Sequence, residues 1–235
     1  MTLAGLSVPD VFYVKGWCAM RFAVSLLLGT LLGALLTEAC DAGVIAEVEA
    51  NNSLAAAQNI DGNFTLDFRL DIGNGDFVTN TSTTIPHVTI LGSGDGTYDY
   101  YSFSVAGSLP RYAIFDIDFT TSGFDSHLAI WFEDGTLLGH NDDYDAMGGA
   151  GGSISDLDSL HALYLLDEGT YIVGVARASA GPDVGGFTGN APETGQSYYL
   201  HVSVEGQPVV PEPSTLMLLT AGTLLLAGVR ARRTW

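Results

Sequence analysis

Tyr198-Tyr-Leu-His-Val-Ser-Val204 is the stretch on which the fold class turns. Tyr198, Leu200, Val202 and Val204 recur at every second position, the period of a strand with one face in a core. The same alternation appears upstream in Tyr171, Val173 and Val175, which follow a Glu168-Gly169 turn. Leu128, Ile130 and Phe132 precede Asp134-Gly135, a hairpin signal. Phe115, Ile117 and Phe119 form a further run, with Asp116 and Asp118 expected to face outward. Tyr101, Phe103 and Val105 form another, as do Phe64, Leu66, Phe68 and Leu70 in Phe64-Thr-Leu-Asp-Phe-Arg-Leu70. About eight short strands with Gly/Asp/Asn-rich turns predict an all-β protein, an antiparallel jelly-roll-like β-sandwich. Asp71–Thr84, Asp142–Ser155 and Ala178–Gly195 read as long loops between strands.

The whole chain has 235 residues and a formal charge of −19. Between Gly43 and Val210, 23 acidic side chains face only Arg69, Arg111 and Arg177, a net charge of −20 with no lysine or cysteine. Such a surface repels nucleic-acid phosphates and anionic headgroups and attracts divalent cations. Disulfides and cysteine-based zinc sites are excluded from this region by count.

Both ends differ from the middle. Met20-Arg21 precedes a 15-residue apolar run, Phe22–Leu36, and then small side chains at Cys40 and Ala42. This predicts a secretory signal helix within residues 1–42, cleaved between Ala42 and Gly43, with Met20 as the expected true start. The Sec translocon and signal peptidase are the partners implied. The run is too short for the ~20 residues of a spanning helix. A lipoprotein signal ending at Cys40 is disfavoured by Thr37 and Glu38. The β-sandwich is expected over residues 43–208 and a separate C-terminal signal over 209–235.

That C-terminal signal consists of Pro211-Glu212-Pro213, an apolar helix over Leu216–Val229 and the basic tail Arg230, Arg232 and Arg233. Prolines stop the preceding strand, and arginines hold the end on the cytoplasmic side. These three parts, in this order, resemble the PEP-CTERM sorting signal of Gram-negative bacteria. The resemblance implies an exosortase as processing partner, a transient membrane anchor, and delivery to the cell surface or extracellular polysaccharide matrix. An ordinary tail anchor would share this topology but end at the membrane.

Within the middle, several strings resemble, in order, the pre-peptidase C-terminal β-sandwich domain. They are Glu47-Val-Glu-Ala-Asn-Asn-Ser-Leu54, Asp95-Gly-Thr-Tyr-Asp-Tyr-Tyr-Ser-Phe103, Phe124-Asp-Ser-His-Leu-Ala-Ile130, Asp134–Asp143, Leu157-Asp-Ser159 and Glu168–Val175. In secreted peptidases such domains are C-terminal accessories. The resemblance implies a calcium site made by the N-terminal acidic arm and by aspartates before the Tyr-x-Phe strand, here Asp95 and Asp99. The residues fit independently. Glu47, Glu49 and Asn51 alternate, so an extended arm would put them on one face, with Asn52 adding an amide oxygen. Asn52 stands where the family often has an aspartate. The cluster Asn141-Asp142-Asp143-Tyr144-Asp145 is a second candidate for calcium.

No metalloprotease, nucleophile-elbow or phosphate-loop motif occurs, so a non-catalytic surface or matrix protein is the expectation. His87, His127, His140, His161 and His201 are far apart in sequence and read as isolated surface histidines, with His127, His161 and His201 pointing away from the core. Ser126 and Ser159 read as turn caps. A carbohydrate-binding module or enzyme accessory is the alternative; Trp131 and Tyr199 are its expected outward aromatics.

Overall fold

The computed structural model describes residues 43–75, 79–121, 123–145 and 155–211. Twelve strands lie among the described residues: β1 (Val44–Ala46), β2 (Gln58–Asn59), β3 (His87–Ser93), β4 (Asp99–Val105), β5 (Arg111–Asp118), β6 (Ser126–Phe132), β7 (Leu137–Asn141), β8 (Leu160–Leu165), β9 (Gly169–Arg177), β10 (Gly181–Asp183), β11 (Gly186–Thr188) and β12 (Ser197–Val204). Two five-stranded sheets pack as a sandwich, in the orders β1-β3-β12-β5-β8 (sheet one) and β2-β4-β9-β6-β7 (sheet two), with β10–β11 as a separate ribbon. Ladders are antiparallel except at two edges, where the short strands β1 and β2 run parallel to β3 and β4. Among the described residues no helix is long and apolar enough to cross a membrane. The signal helix, Leu216–Val229 and the expected cleavage residue Ala42 lie outside them.

The alternation places the core. Tyr198, Leu200, Val202 and Val204 are fully buried against Tyr101, Phe103, Phe115, Ile117, Leu128, Ile130, Val173 and Val175. The Asp134-Gly135 turn joins β6 to β7, with Gly135 at φ +87°.

Two alternating runs behave differently. Phe64 is buried, but Leu66, Phe68 and Leu70 are exposed. Thr65 makes one two-bond bridge to His87. Beyond it the edge of β3 is already taken by β1, which pairs Val44 with Thr89. With no partner left, Phe64–Leu70 cannot continue as a strand. Phe119, expected in the core, follows the end of β5 with φ +51° and is 44% exposed, its ring edge-on to Tyr199.

Both outer faces of the sandwich are partly covered. On sheet two, the ribbon lays Phe187 and Ala180 over Trp131, Tyr100, Ala129 and Ile172, forming a second apolar cluster. Trp131 is therefore fully buried, and its indole N–H donates to the Asp183 carbonyl at 2.9 Å. On sheet one, Ile85 packs on Ile114 and Leu160, and Asp71 reaches to 3.7 Å from His201. Asp116 and Asp118 do lie on the outward parity of β5, but beneath this cover they are buried.

The histidines are mostly not at the surface. His201 is buried, bonded to Thr89 Oγ1 at 2.9 Å and 3.2 Å from Asp118. His87 is buried, which pulls its imidazole down to about 4. His161 sits opposite core-facing Phe115 and therefore points inward, filling the space above Gly139. His127 is buried and bonded to His140. Ser126 and Ser159 are buried and bonded to each other at 3.0 Å, linking β6 to the start of β8.

Candidate metal centre

β4 and β12 each begin with a polar side chain on their inward parity, Asp99 and Tyr198, at one end of the sandwich. The Tyr198 hydroxyl donates to Asp99 Oδ2 at 2.6 Å and lies 2.8 Å from the Tyr101 hydroxyl. Tyr101 in turn donates to Glu47 Oε1 at 2.6 Å. Glu47 Oε2 accepts the Ser93 N–H at 2.8 Å, and Asn51 Nδ2 donates to Glu47 Oε1 at 3.1 Å. The arm is fastened by Gln58, whose amide bonds the Val48 N–H and the Ala46 carbonyl, and by Asn51, whose carbonyl takes the Tyr100 N–H.

This anchoring bends the arm and gathers oxygen ligands. Carboxylate oxygens of Glu47, Glu49 and Asp99 come within 4.8 Å of one another. Asn51 turns inward beside Glu47 and is fully buried. Its Oδ1, like Asp99 Oδ1, is a buried acceptor with no hydrogen-bond partner. Asn52 and Asp95 do not join this group. Asn52 lines an open cleft of about 480 Å³ with Gly96, Thr97, Tyr98 and Asn190. Asp95 caps its own turn through the Thr97 N–H at 2.7 Å, and its charge reaches Glu49 only as repulsion.

The electrostatics are those of a crowded anionic pocket. Burial first, then the charge of Glu47, pushes Asp99 up to about 8, so it holds a proton at neutral pH. Partial burial and then Glu47 and Asp95 raise Glu49. Tyr101 and Tyr198 are raised well above 10, chiefly by burial, and stay neutral donors. An oxygen-only set of three carboxylates and an amide suits a hard divalent cation such as calcium, which takes six to eight oxygens.

The second acidic candidate is not gathered in this way. Asn141 spends its amide on the carbonyls of Asp143 and Leu160. Among the described residues Asp142, Asp143 and Asp145 form no metal-spaced group. Sequence reasoning missed Tyr101 and Tyr198 as parts of the site, because their alternation marks them as core. It also missed Gly92, which pairs with Tyr198; a side chain there would begin 2.2 Å from the ring. Gly92→Ala is expected to displace Tyr198 from Asp99 and cost about 1–3 kcal/mol by overpacking. An unchanged denaturant midpoint would contradict the close packing.

Of the sorting residues, Pro211 ends the described chain, while Glu212, Pro213, Arg230, Arg232 and Arg233 lie beyond it. Gly43 begins it, buried, its carbonyl accepting the Thr89 N–H at 2.6 Å.

Comparison with known proteins adds the following. Residues 209–233 match the PEP-CTERM protein-sorting motif, so the chain carries that signal, which implies an exported protein handled by an exosortase. No curated protein matches the chain. Among solved structures, the pre-peptidase C-terminal domain of a collagenase from Bacillus anthracis is similar at 16% identity and TM-score 0.31, over 51% of this chain and 89% of that one. PliG of Aeromonas hydrophila, a periplasmic inhibitor of g-type lysozyme, is similar at 16% identity and TM-score 0.30, over 52% and 89%.

Proposed function

We propose that this chain is a non-catalytic surface or extracellular-matrix protein of a Gram-negative bacterium, released from a transient C-terminal anchor by an exosortase. Its β-sandwich serves as a structural or adhesive module that takes calcium at Glu47, Glu49, Asn51 and Asp99 and acts beside extracellular polysaccharide. The sorting motif at 209–233 carries this reading. Two features support it. The last sandwich strand ends at Val204, only five residues before the motif. The gathered carboxylates on the arm, with two unpartnered buried oxygens, supply cation ligands. A cell-surface protein meets calcium at concentrations far above those inside cells, so even a site of modest affinity fills.

The test compares surface protein from cells with and without the exosortase. Mass spectrometry is expected to find mature protein lacking Leu216–Trp235 only where the enzyme is present. Recovery of peptides from that tail on surface protein in both strains would instead favour a permanent tail anchor.

A further inference from the structure

The outward face of sheet two carries a second set of ligand-type side chains. The β6–β7 pairing sets Leu128 opposite Asn141 and Ala129 opposite His140, which makes His127 and His140 diagonal neighbours. Asp142 directly follows the last residue of β7. On the strand's two-residue period, Asp142 would take the face of His140.

His127 is only 4% exposed, with Phe187 packed edge-on at 5.4 Å and its Nδ1 3.0 Å from the Ala180 carbonyl. A carbonyl only accepts, so Nδ1 carries the proton and Nε2 keeps the lone pair. That nitrogen stands 3.1 Å from His140 Nδ1. Fixing one ring nitrogen on a backbone carbonyl so that the other presents a lone pair is how metal-binding imidazoles are oriented. The separation is close to the ~3.3 Å expected of two nitrogens each ~2.05 Å from a tetrahedral zinc. Asp142 is near enough for its charge to act on His127. The ligand atoms of His127, His140 and Asp142 do not all lie within 4.8 Å of one another, but Asp142 and His140 are exposed, so both side chains can turn toward a common ion. His161 lies across Gly139 on the inner side of β7 and is not part of this set.

We propose that His127, His140 and Asp142 form a binding site for a divalent transition-metal ion of the zinc type, with water in the remaining position. Two imidazoles and one carboxylate suit such an ion, whereas the oxygen-only cluster on the arm suits calcium. The two sites belong to different ends of the chemistry and are separable by metal.

Cobalt(II) added to the full chain in calcium-containing buffer is the probe, with zinc as competitor. One equivalent is expected to give visible ligand-field bands that zinc abolishes and excess calcium leaves intact. Loss of even an outer partner of a ligand costs about 10–100-fold in metal affinity, so His140→Ala is expected to weaken binding at least ~100-fold. Asp142→Asn is expected to weaken it less, and Glu49→Gln not at all. Both substituted side chains are exposed, and an unchanged melting temperature in calcium verifies that each variant folds. Cobalt bands that survive both His140→Ala and Asp142→Asn, or that vanish with Glu49→Gln, would overturn the proposal and leave His127–His140 as a hydrogen bond only.

Discussion

Freed of divalent cations, the full-length protein is expected to lose about 1 kcal/mol of stability between pH 7 and 9, and calcium is expected to restore it. Asp99 drives this. Its carboxyl is raised in the fold to about 8, chiefly by burial and then by Glu47. The folded state therefore holds a proton that the unfolded chain has released above its ordinary aspartate value. The associated stabilisation is complete below about pH 4 and disappears as pH climbs through about 8. Asp116, raised by burial and by Asp118, acts in the same direction. His87, His127 and His161 are lowered by burial and act oppositely, gaining stability as pH rises, a gain that offsets part of the loss and is complete only near pH 7.5, where the unfolded imidazole has lost its proton. Above it the carboxyls act alone. About 1 kcal/mol corresponds to roughly 2–4 °C in melting temperature for a chain of this size.

Calcium at the proposed site would replace the Asp99 proton, so its effect is expected to grow with pH. At a hundredfold excess over its dissociation constant the gain is ~2.7 kcal/mol, roughly 5–10 °C at pH 8.5. Glu49→Gln is expected to remove most of that gain and Asp143→Asn to leave it intact. Asp99→Asn is the sharper variant, because it removes the calcium response yet raises metal-free stability at pH 8.5. Magnesium at equal ionic strength controls for screening of the acidic surface. Equal shifts with both metals, indifferent to Glu49→Gln, would reduce the cluster to a solvated acidic edge.

Trp131→Ala is expected to cost about 3–5 kcal/mol, lowering the melting temperature by roughly 6–20 °C. The ring is fully buried between sheet two and the ribbon, 5.1 Å from Phe187 and 5.7 Å from Tyr100. Removing it leaves a cavity and orphans the Asp183 carbonyl. A sugar-binding tryptophan would behave in the opposite way: alanine would abolish polysaccharide binding and leave thermal stability nearly unchanged. Differential scanning calorimetry with a glycan array on the same variant separates the two outcomes.

The strand runs beginning at Tyr101, Leu128, Tyr171 and Tyr198 were legible because a side chain on a two-residue period reports directly which face meets the core. The sorting signal at the C-terminus was legible because its order of prolines, apolar run and arginines is local. The nearness of the arm carboxylates Glu47 and Glu49 was legible for the same reason, two residues apart on one segment. What the sequence concealed is everything that depends on what covers a face. Asp116, Asp118, His201 and Trp131 all have the outward parity that reads as exposed, and all are buried, because Asp71 and Ile85 on one side and residues of Ala178–Gly195 on the other lie over the sheets instead of standing in solvent. Periodicity records only which side of a strand a residue takes. Phe64–Leu70 failed as a strand because β1 already held the edge it needed, a competition between segments about twenty residues apart. The Asp99–Tyr198–Tyr101–Glu47 chain and the His127–His140 pair likewise arise only where the folded chain sets distant residues face to face, since hydrogen bonds and ion sites act over a few ångströms of space.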